Sequence, residues 1–295
     1  MKLNYMLLDV FTRRRLAGNP LAVVFKADGL SVERMQAIAF EFNLSETVFV
    51  MKPKLEKHTA ALRIFTPRVE LPFAGHPTVG AAVALGLINR ATAVRLEEQV
   101  GVITCVVDKI DRHAANAHFA LPVLPEEFGP APGAGAIATA LGIDLDEIGC
   151  GAFRPAAYSA GVPFYLVPVR DAAVLRKLKL ERRGWADTFP LGRGSVYVFT
   201  LTPDEPGIDL AARMFGGGLG VGEDPATGSA AAALLGLLAR QAPDGQSLYT
   251  LRQGYEMGRP SQISLQLRKV EDRLVHGGIG GDAVVVGEGT IEVDE

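Results

Sequence analysis

Two segments of this chain are built almost wholly from Ala, Gly and Leu: GAAVALGLI at 80–88 and SAAAALLGLLA at 229–239. A helix that is apolar on every face is a buried helix. Small side chains also let strands approach it closely from all sides. The short, turn-punctuated apolar stretches around both segments read as strands. The predicted fold class is therefore α+β. It has two pseudo-symmetric halves, each a curved, mostly antiparallel sheet or barrel around a central α-helix.

The halves repeat one another in order. Gly18-Asn-Pro20-Leu-Ala-Val-Val24 parallels Gly161-Val-Pro163-Phe-Tyr-Leu-Val167. Pro77-Thr-Val-Gly80-Ala-Ala82 parallels Pro225-Ala-Thr-Gly228-Ser-Ala230, and both then run to Leu-Gly-Leu. A Pro- and Gly-dense stretch at 125–136 breaks the pattern and reads as a linker or crossover. With 295 residues, about two domains are expected. The expected division is an N-terminal domain of residues 1–124 completed by 278–295, and a C-terminal domain of 125–277. The active site is expected in the cleft between them, where ligand sites are common.

Strands are predicted at 5–11, 21–25, 47–51, 62–65, 94–98, 100–108 and 117–121 in the first half. In the second they fall at 162–169, 195–201, 248–253, 262–268 and 283–286. One helix should open on Ser31 as N-cap and stop at Asn43. Others are expected at 136–141 and 171–178. The two central helices are expected to open after Pro77 and to span 226–240.

Composition narrows the function. Hydrophobic residues at 48% exclude a disordered chain, and 30 basic against 33 acidic residues give no cationic excess for nucleic acid. The longest apolar run is shorter than the roughly 20 residues a membrane span needs, and no leader peptide is visible. A cytoplasmic protein without nucleic-acid or membrane partners is expected. The two cysteines, Cys105 and Cys150, lack metal-ligand spacing and read as buried thiols.

Three polar clusters interrupt the apolar background: Ser45-Glu46-Thr47, FAGHPTVG at 73–80, and GEDPATGS at 222–229. The last two deliver free backbone N–H groups at a helix start, which favours anions. A carboxylate-bearing small molecule suits such ends. Phosphate suits them poorly, because no Walker spacing is present and the loose GGGLGVG (216–222) runs into an acidic pair. Glu46 is the general-base candidate, since partial desolvation raises a carboxyl toward useful values; it also reads as a plain turn residue. His76 reads either as a proton shuttle or as a structural histidine. Asp224 reads as a catalytic group or an N-cap, and Ser229 as a ligand contact or a packing residue. Ser45, Gly75 and Gly228 complete the candidate substrate-binding set.

At these clusters the sequence resembles the PhzF family of phenazine biosynthesis-like isomerases, within the diaminopimelate epimerase-like fold. The resemblance runs the whole length, through Asp9-Val-Phe-Thr12, Ser45-Glu46-Thr-Val-Phe-Val50, Arg63-Ile-Phe-Thr-Pro67, LPFAGHPTVGAA (71–82), GEDPATGSAAAAL (222–234), QGYEMGRPS (253–261) and GGIGGDAVVVGEGTI (277–291). It implies a homodimer and proton transfer without cofactor or metal, as in isomerisation of trans-2,3-dihydro-3-hydroxyanthranilate. Carried over, Glu46 matches the catalytic acid/base. His76, Asp224 and Ser229 match other active-site positions, and Gly75 and Gly228 match backbone donors. Related racemases use one cysteine at each helix start. Here Ala74 takes the first such place and no Cys the second, which argues against a two-thiol mechanism. Two other functions remain open: an amino-acid or hydroxy-acid epimerase, and a catalytically idle ligand- or partner-binding protein on the same fold.

Overall fold

The computed structural model describes residues 1–181, 183–190, 194–216 and 222–293. Residues 217–221 of the GGGLGVG stretch lie outside the described residues. The chain divides into two compact units, Met1–Pro122 with Ile279–Glu295, and Val123–Gly278.

In the first unit, β1 (Lys2–Val10) and β2 (Asn19–Phe25) form an antiparallel pair. α1 (Val32–Phe42) follows. Ser31 Oγ accepts from the Arg34 N–H, and Asn43 closes the helix in the left-handed conformation, as predicted. This helix is the crossover that lets β3 (Glu46–Met51) lie parallel to β2. β4 (Ala60–Phe65) and the two-residue β5 (Glu70–Leu71) add antiparallel. α2 (Gly75–Asn89) then leads to β6 (Ala93–Glu98), parallel to β4, and to β7 (Gly101–Lys109) and β8 (Ala114–Ala120).

The second unit uses the same plan. β9 (Glu126–Gly129) lies inside the stretch expected as linker and pairs with β10 (Ala156–Ser159) beyond α3 (Ala134–Leu141). β11 (Pro163–Pro168) is antiparallel to β10. α4 (Ala172–Lys177) and α5 (Trp185–Thr188) carry the chain to β12 (Val196–Leu201), parallel to β11. β13 (Leu210–Phe215) and β14 (Glu223–Asp224) precede α6 (Gly228–Ala239). β15 (Gly245–Gln253) then lies parallel to β13, and β16 (Ser261–Val270) antiparallel to β15. The chain leaves along β17 (Arg273–Glu292), whose later residues pair with β1 and β8. That pairing closes β1, β2, β3, β4, β6, β7, β8 and β17 into an eight-strand barrel.

Both central helices are buried on every face, as their small-residue composition requires. In α2 every residue from Gly75 to Gly86 is buried, and α2 packs against β1, β2, β3, β6, β7 and β8. In α6 every residue but Ser229 is buried, and it packs against β9, β10, β11 and β16. Gly80 marks a close approach of α2 to the strands around it, where a Cβ would collide with the Leu21 and Val10 side chains.

The structure corrects three expectations. α2 begins at Gly75, two residues before Pro77, because a proline in the first turn loses only an N–H that has no helical partner. α6 begins at Gly228, so Asp224 is not its N-cap; Thr227 holds that place and Asp224 sits in β14. The final strand is far longer than 283–286. The pairing of Pro77-Thr-Val-Gly80 with Pro225-Ala-Thr-Gly228 is therefore out of register. Structurally, Gly75 corresponds to Gly228 as first helical residue, and His76 to Ser229.

Candidate active site

In the first unit, Glu46 is the first residue of β3 and His76 the second residue of α2. His76 Nδ1 lies 2.9 Å from Glu46 Oε2. The His76 side chain is 3% exposed and that of Glu46 18%, so the pair is shielded while the carboxylate still reaches solvent. His76 Nε2 is buried and has no hydrogen-bond partner among the described residues. With Nδ1–H donating to Glu46, Nε2 is an acceptor in the neutral ring. Ser45 is half-buried beside Glu46. Gly75 is buried, and the N-cap Ala74 offers no side-chain cap. The first N–H groups of α2 therefore keep the anion-attracting character of an uncapped helix end.

A buried carboxyl supports this helix start from behind. Thr78 Oγ1 lies 2.8 Å from the Ala74 carbonyl and 2.7 Å from Glu98 Oε1. A hydroxyl has one proton to give. If Thr78 gives it to Ala74, a protonated Glu98 completes the chain by donating to Thr78. Burial pushes the Glu98 carboxyl up to about 8, against the lowering effect of Thr78. The neutral acid is thus the resting form at neutral pH. Burial, together with the nearby Glu98, likewise raises the Cys105 thiol. Cys105 and Cys150 are both free and buried, the state expected of structural thiols.

In the second unit, Asp224 is buried and accepts from Thr227 Oγ1 at 2.5 Å. Gln253 Nε2 donates to the Asp224 carbonyl at 2.8 Å and to Thr227 Oγ1 at 3.1 Å. Gln253 Oε1 accepts from the Thr227 N–H at 3.1 Å and from the Tyr197 hydroxyl at 2.9 Å. Full burial, then the Asp224 charge, hold the Tyr197 phenol well above its ordinary value. With the Thr227 hydroxyl engaged by Asp224, Thr227 does not cap α6. Gly228 and the half-buried Ser229 therefore open this helix uncapped, as Gly75 and His76 open α2. The acidic pair is less repulsive than its sequence suggests, because Arg213 clamps Glu223 with bonds of 2.7 and 2.9 Å.

Of the sequence candidates, the structure joins Glu46 to His76 and places Ser45 and Gly75 next to them in chain and helix. In the second unit it places Asp224, Gly228 and Ser229 around the start of α6. Sequence reasoning missed Thr78, Glu98, Thr227, Tyr197 and Gln253. No local signal marked Glu98 or Gln253, since their strands, AVRLEE and GQSLYTLRQ, carry several other polar residues. Among the described residues no group of His, Cys, Asp and Glu side chains could hold a metal ion, and no helix is long and apolar enough to cross a membrane.

Residues 8–289 match the family model described as phenazine biosynthesis-like protein. An uncharacterised isomerase of Mesorhizobium japonicum is 45% identical, with 98% of each chain covered. The trans-2,3-dihydro-3-hydroxyanthranilate isomerase of Pseudomonas aeruginosa is 35% identical over 97% of this chain and 98% of its own. The crystal structure of a PhzF-family phenazine biosynthesis protein from Bacillus anthracis superposes with a TM-score of 0.87 at 23% identity, covering 99% of this chain and 100% of that one. The barrel architecture, the family match over nearly the whole chain and these relatives agree: the chain belongs to the PhzF family of phenazine biosynthesis-like proteins.

Proposed function

We propose that this PhzF-family isomerase moves a proton between two carbons of a small carboxylate-bearing substrate, using Glu46 as the acid/base and no cofactor, metal or thiol. The observation that carries the reading is the Glu46–His76 hydrogen bond at the uncapped start of α2. Glu46, as carboxylate, takes a proton from one substrate carbon. The electron pair left behind shifts along the adjoining double bond. The protonated Glu46 then returns the proton at the far carbon, and the resulting enol settles to a ketone. One carboxyl group serves both steps, so no second base is needed.

The other groups hold and polarise. His76 fixes the orientation of the carboxylate through Nδ1 and offers Nε2 to the substrate. The N–H groups at the starts of α2 and α6, from Gly75 and Gly228 onward, favour negative charge. Ser45 and Ser229 add hydroxyls to the substrate-binding set, and Asp224 positions or polarises it. The 35% identity to trans-2,3-dihydro-3-hydroxyanthranilate isomerase makes that compound the substrate to try first. Glu46→Gln keeps the shape and removes the base. Its turnover of that compound should fall by ~10²–10⁴-fold or more; near-native turnover would remove Glu46 from this role.

A further inference from the structure

Strand register assigns every position of the first unit's site a counterpart in the second. Thr47 lies opposite Phe65 in the β3–β4 pair, and Val196 lies opposite Phe215 in the β12–β13 pair. The two frames are anchored alike. Arg63 clamps Glu70 and lies over the Phe65 ring, while Arg213 clamps Glu223 and lies over the Phe215 ring. Val196 is thus the counterpart of Thr47, and Ser195 the counterpart of Glu46. The helix starts agree, with Ala74 and Thr227 as N-caps, then Gly75 and Gly228, then His76 and Ser229. Where the first unit carries Glu46 and His76, the second carries Ser195 and Ser229.

Ser195 is 2% exposed, yet its Oγ has no hydrogen-bond partner among the described residues. Such an orphan is rare in a folded chain and calls for a partner the protein itself does not supply. Its main chain is engaged in the sheet, with the Tyr165 N–H donating to the Ser195 carbonyl at 3.0 Å. The side-chain direction is then set by strand alternation. Tyr197, two residues on and so on the same face, reaches Gln253, which accepts from the Thr227 N–H at the start of α6; alternation thus directs Ser195 to the α6 side of the strand. A hydroxyl donates and accepts but does not ionise at neutral pH. It suits holding a ligand and not moving its proton.

We infer that Ser195 Oγ is a substrate-binding group, hydrogen-bonded with Ser229 to a polar substituent of the carboxylate-bearing substrate. The inference rests on the isomerase reading above. Its test is calorimetric binding of 3-hydroxyanthranilate, a non-reacting aromatic carboxylate, to the native chain, Ser195→Ala, Ser195→Cys and Glu46→Gln, with thermal melts without ligand. Ser195→Ala should weaken binding about tenfold, the loss of one hydrogen bond to a buried polar partner. Ser195→Cys, close in shape and a poorer partner, should fall between. Neither should melt below the native chain, since no internal hydrogen bond is lost. Unchanged affinity overturns the inference, as does a lowered melting temperature with native affinity, which would mark a hydroxyl serving a structural water. The two readings fail differently. Native binding unaffected by Ser195→Ala sinks only the inference. A native chain that does not bind the compound overturns the inference alone, whereas a fully active Glu46→Gln in the turnover assay above sinks the proton-transfer reading as well.

Discussion

The two helix starts share a scaffold and differ in chemistry. At α2 the polar groups are an ionisable pair, Glu46 and His76, 2.9 Å apart. At α6 the corresponding positions hold Ser195 and Ser229, and the nearest acid, Asp224, is tied to Thr227 at 2.5 Å. The supports behind the helices show the same contrast. Ala61 lies opposite Glu97 in the β4–β6 pair, and Ala211 opposite Arg252 in the β13–β15 pair. Glu98 and Gln253, the next residues, are therefore counterparts. Each reaches from a strand end to a helix start. Gln253 is neutral at every pH, whereas Glu98 is neutral only while it keeps its proton. The first unit thus places two carboxyls near one helix and separates their roles by burial: Glu98 sealed and protonated, Glu46 partly exposed and beside a histidine. The two units share the frame, and the hydrogen-bonded carboxylate–histidine pair lies on the first.

The comparison breaks most easily at the supports. Gln253→Ala strands the Thr227 N–H, the Asp224 carbonyl and the Tyr197 hydroxyl at once, and should cost about 2–5 kcal/mol of stability in urea melts. A loss below ~1 kcal/mol would show that the network does not hold α6. Glu98 should make stability pH-dependent. Its folded value near 8 lies above the unfolded 4.5, so the folded state keeps a proton the unfolded state releases. The contribution is full below pH 4.5 and is lost as pH rises toward 8, on the order of a few kcal/mol. Denaturation from pH 4 to 9 should show that decline in the native chain and less of it in Glu98→Gln. Equal slopes would mean Glu98 is ionised when folded.

Smaller effects test the helices themselves. Gly80→Ala forces a Cβ onto Leu21 and Val10, and Gly236→Ala forces one onto the Tyr158 ring. Each should lower stability by about 1–3 kcal/mol, and a neutral result at either would show a looser barrel than the packing implies. Smallest of all, Glu98→Gln copies the residue of the other unit and should change stability at pH 4 by less than ~1 kcal/mol.

Much of the scaffold was legible because its signals are local. An Ala-Gly-Leu helix must be buried, Ser31 and Asn43 mark the limits of α1, and short apolar runs mark strands. The repeat was legible but misaligned. Pro77 and Pro225 share a Pro-x-x-Gly spelling, yet their places differ: one lies inside a helix, the other ahead of one. A better signal was Arg63-Ile-Phe65 against Arg213-Met-Phe215, each followed by an acid and then a proline, at Pro72 and Pro225. Of the candidate site, Glu46 and His76 stood out as polar groups among apolar neighbours. Glu98 and Gln253 did not, because a polar residue at a strand end acquires its partner only when β6 and β15 pair with strands far away in sequence. The long β17 was hidden by its glycines, which have low strand propensity and are carried there by the sheet.

The proposal that one carboxyl group, Glu46 of the first unit, moves the proton is decided by following trans-2,3-dihydro-3-hydroxyanthranilate in D₂O by NMR with the native chain and Glu46→Gln. The native chain should place deuterium at the carbon that gains the proton, because protonated Glu46, 18% exposed, exchanges with solvent before it gives a proton back, and Glu46→Gln should incorporate it at least ~10²-fold more slowly. Incorporation at equal rates in both proteins would contradict it.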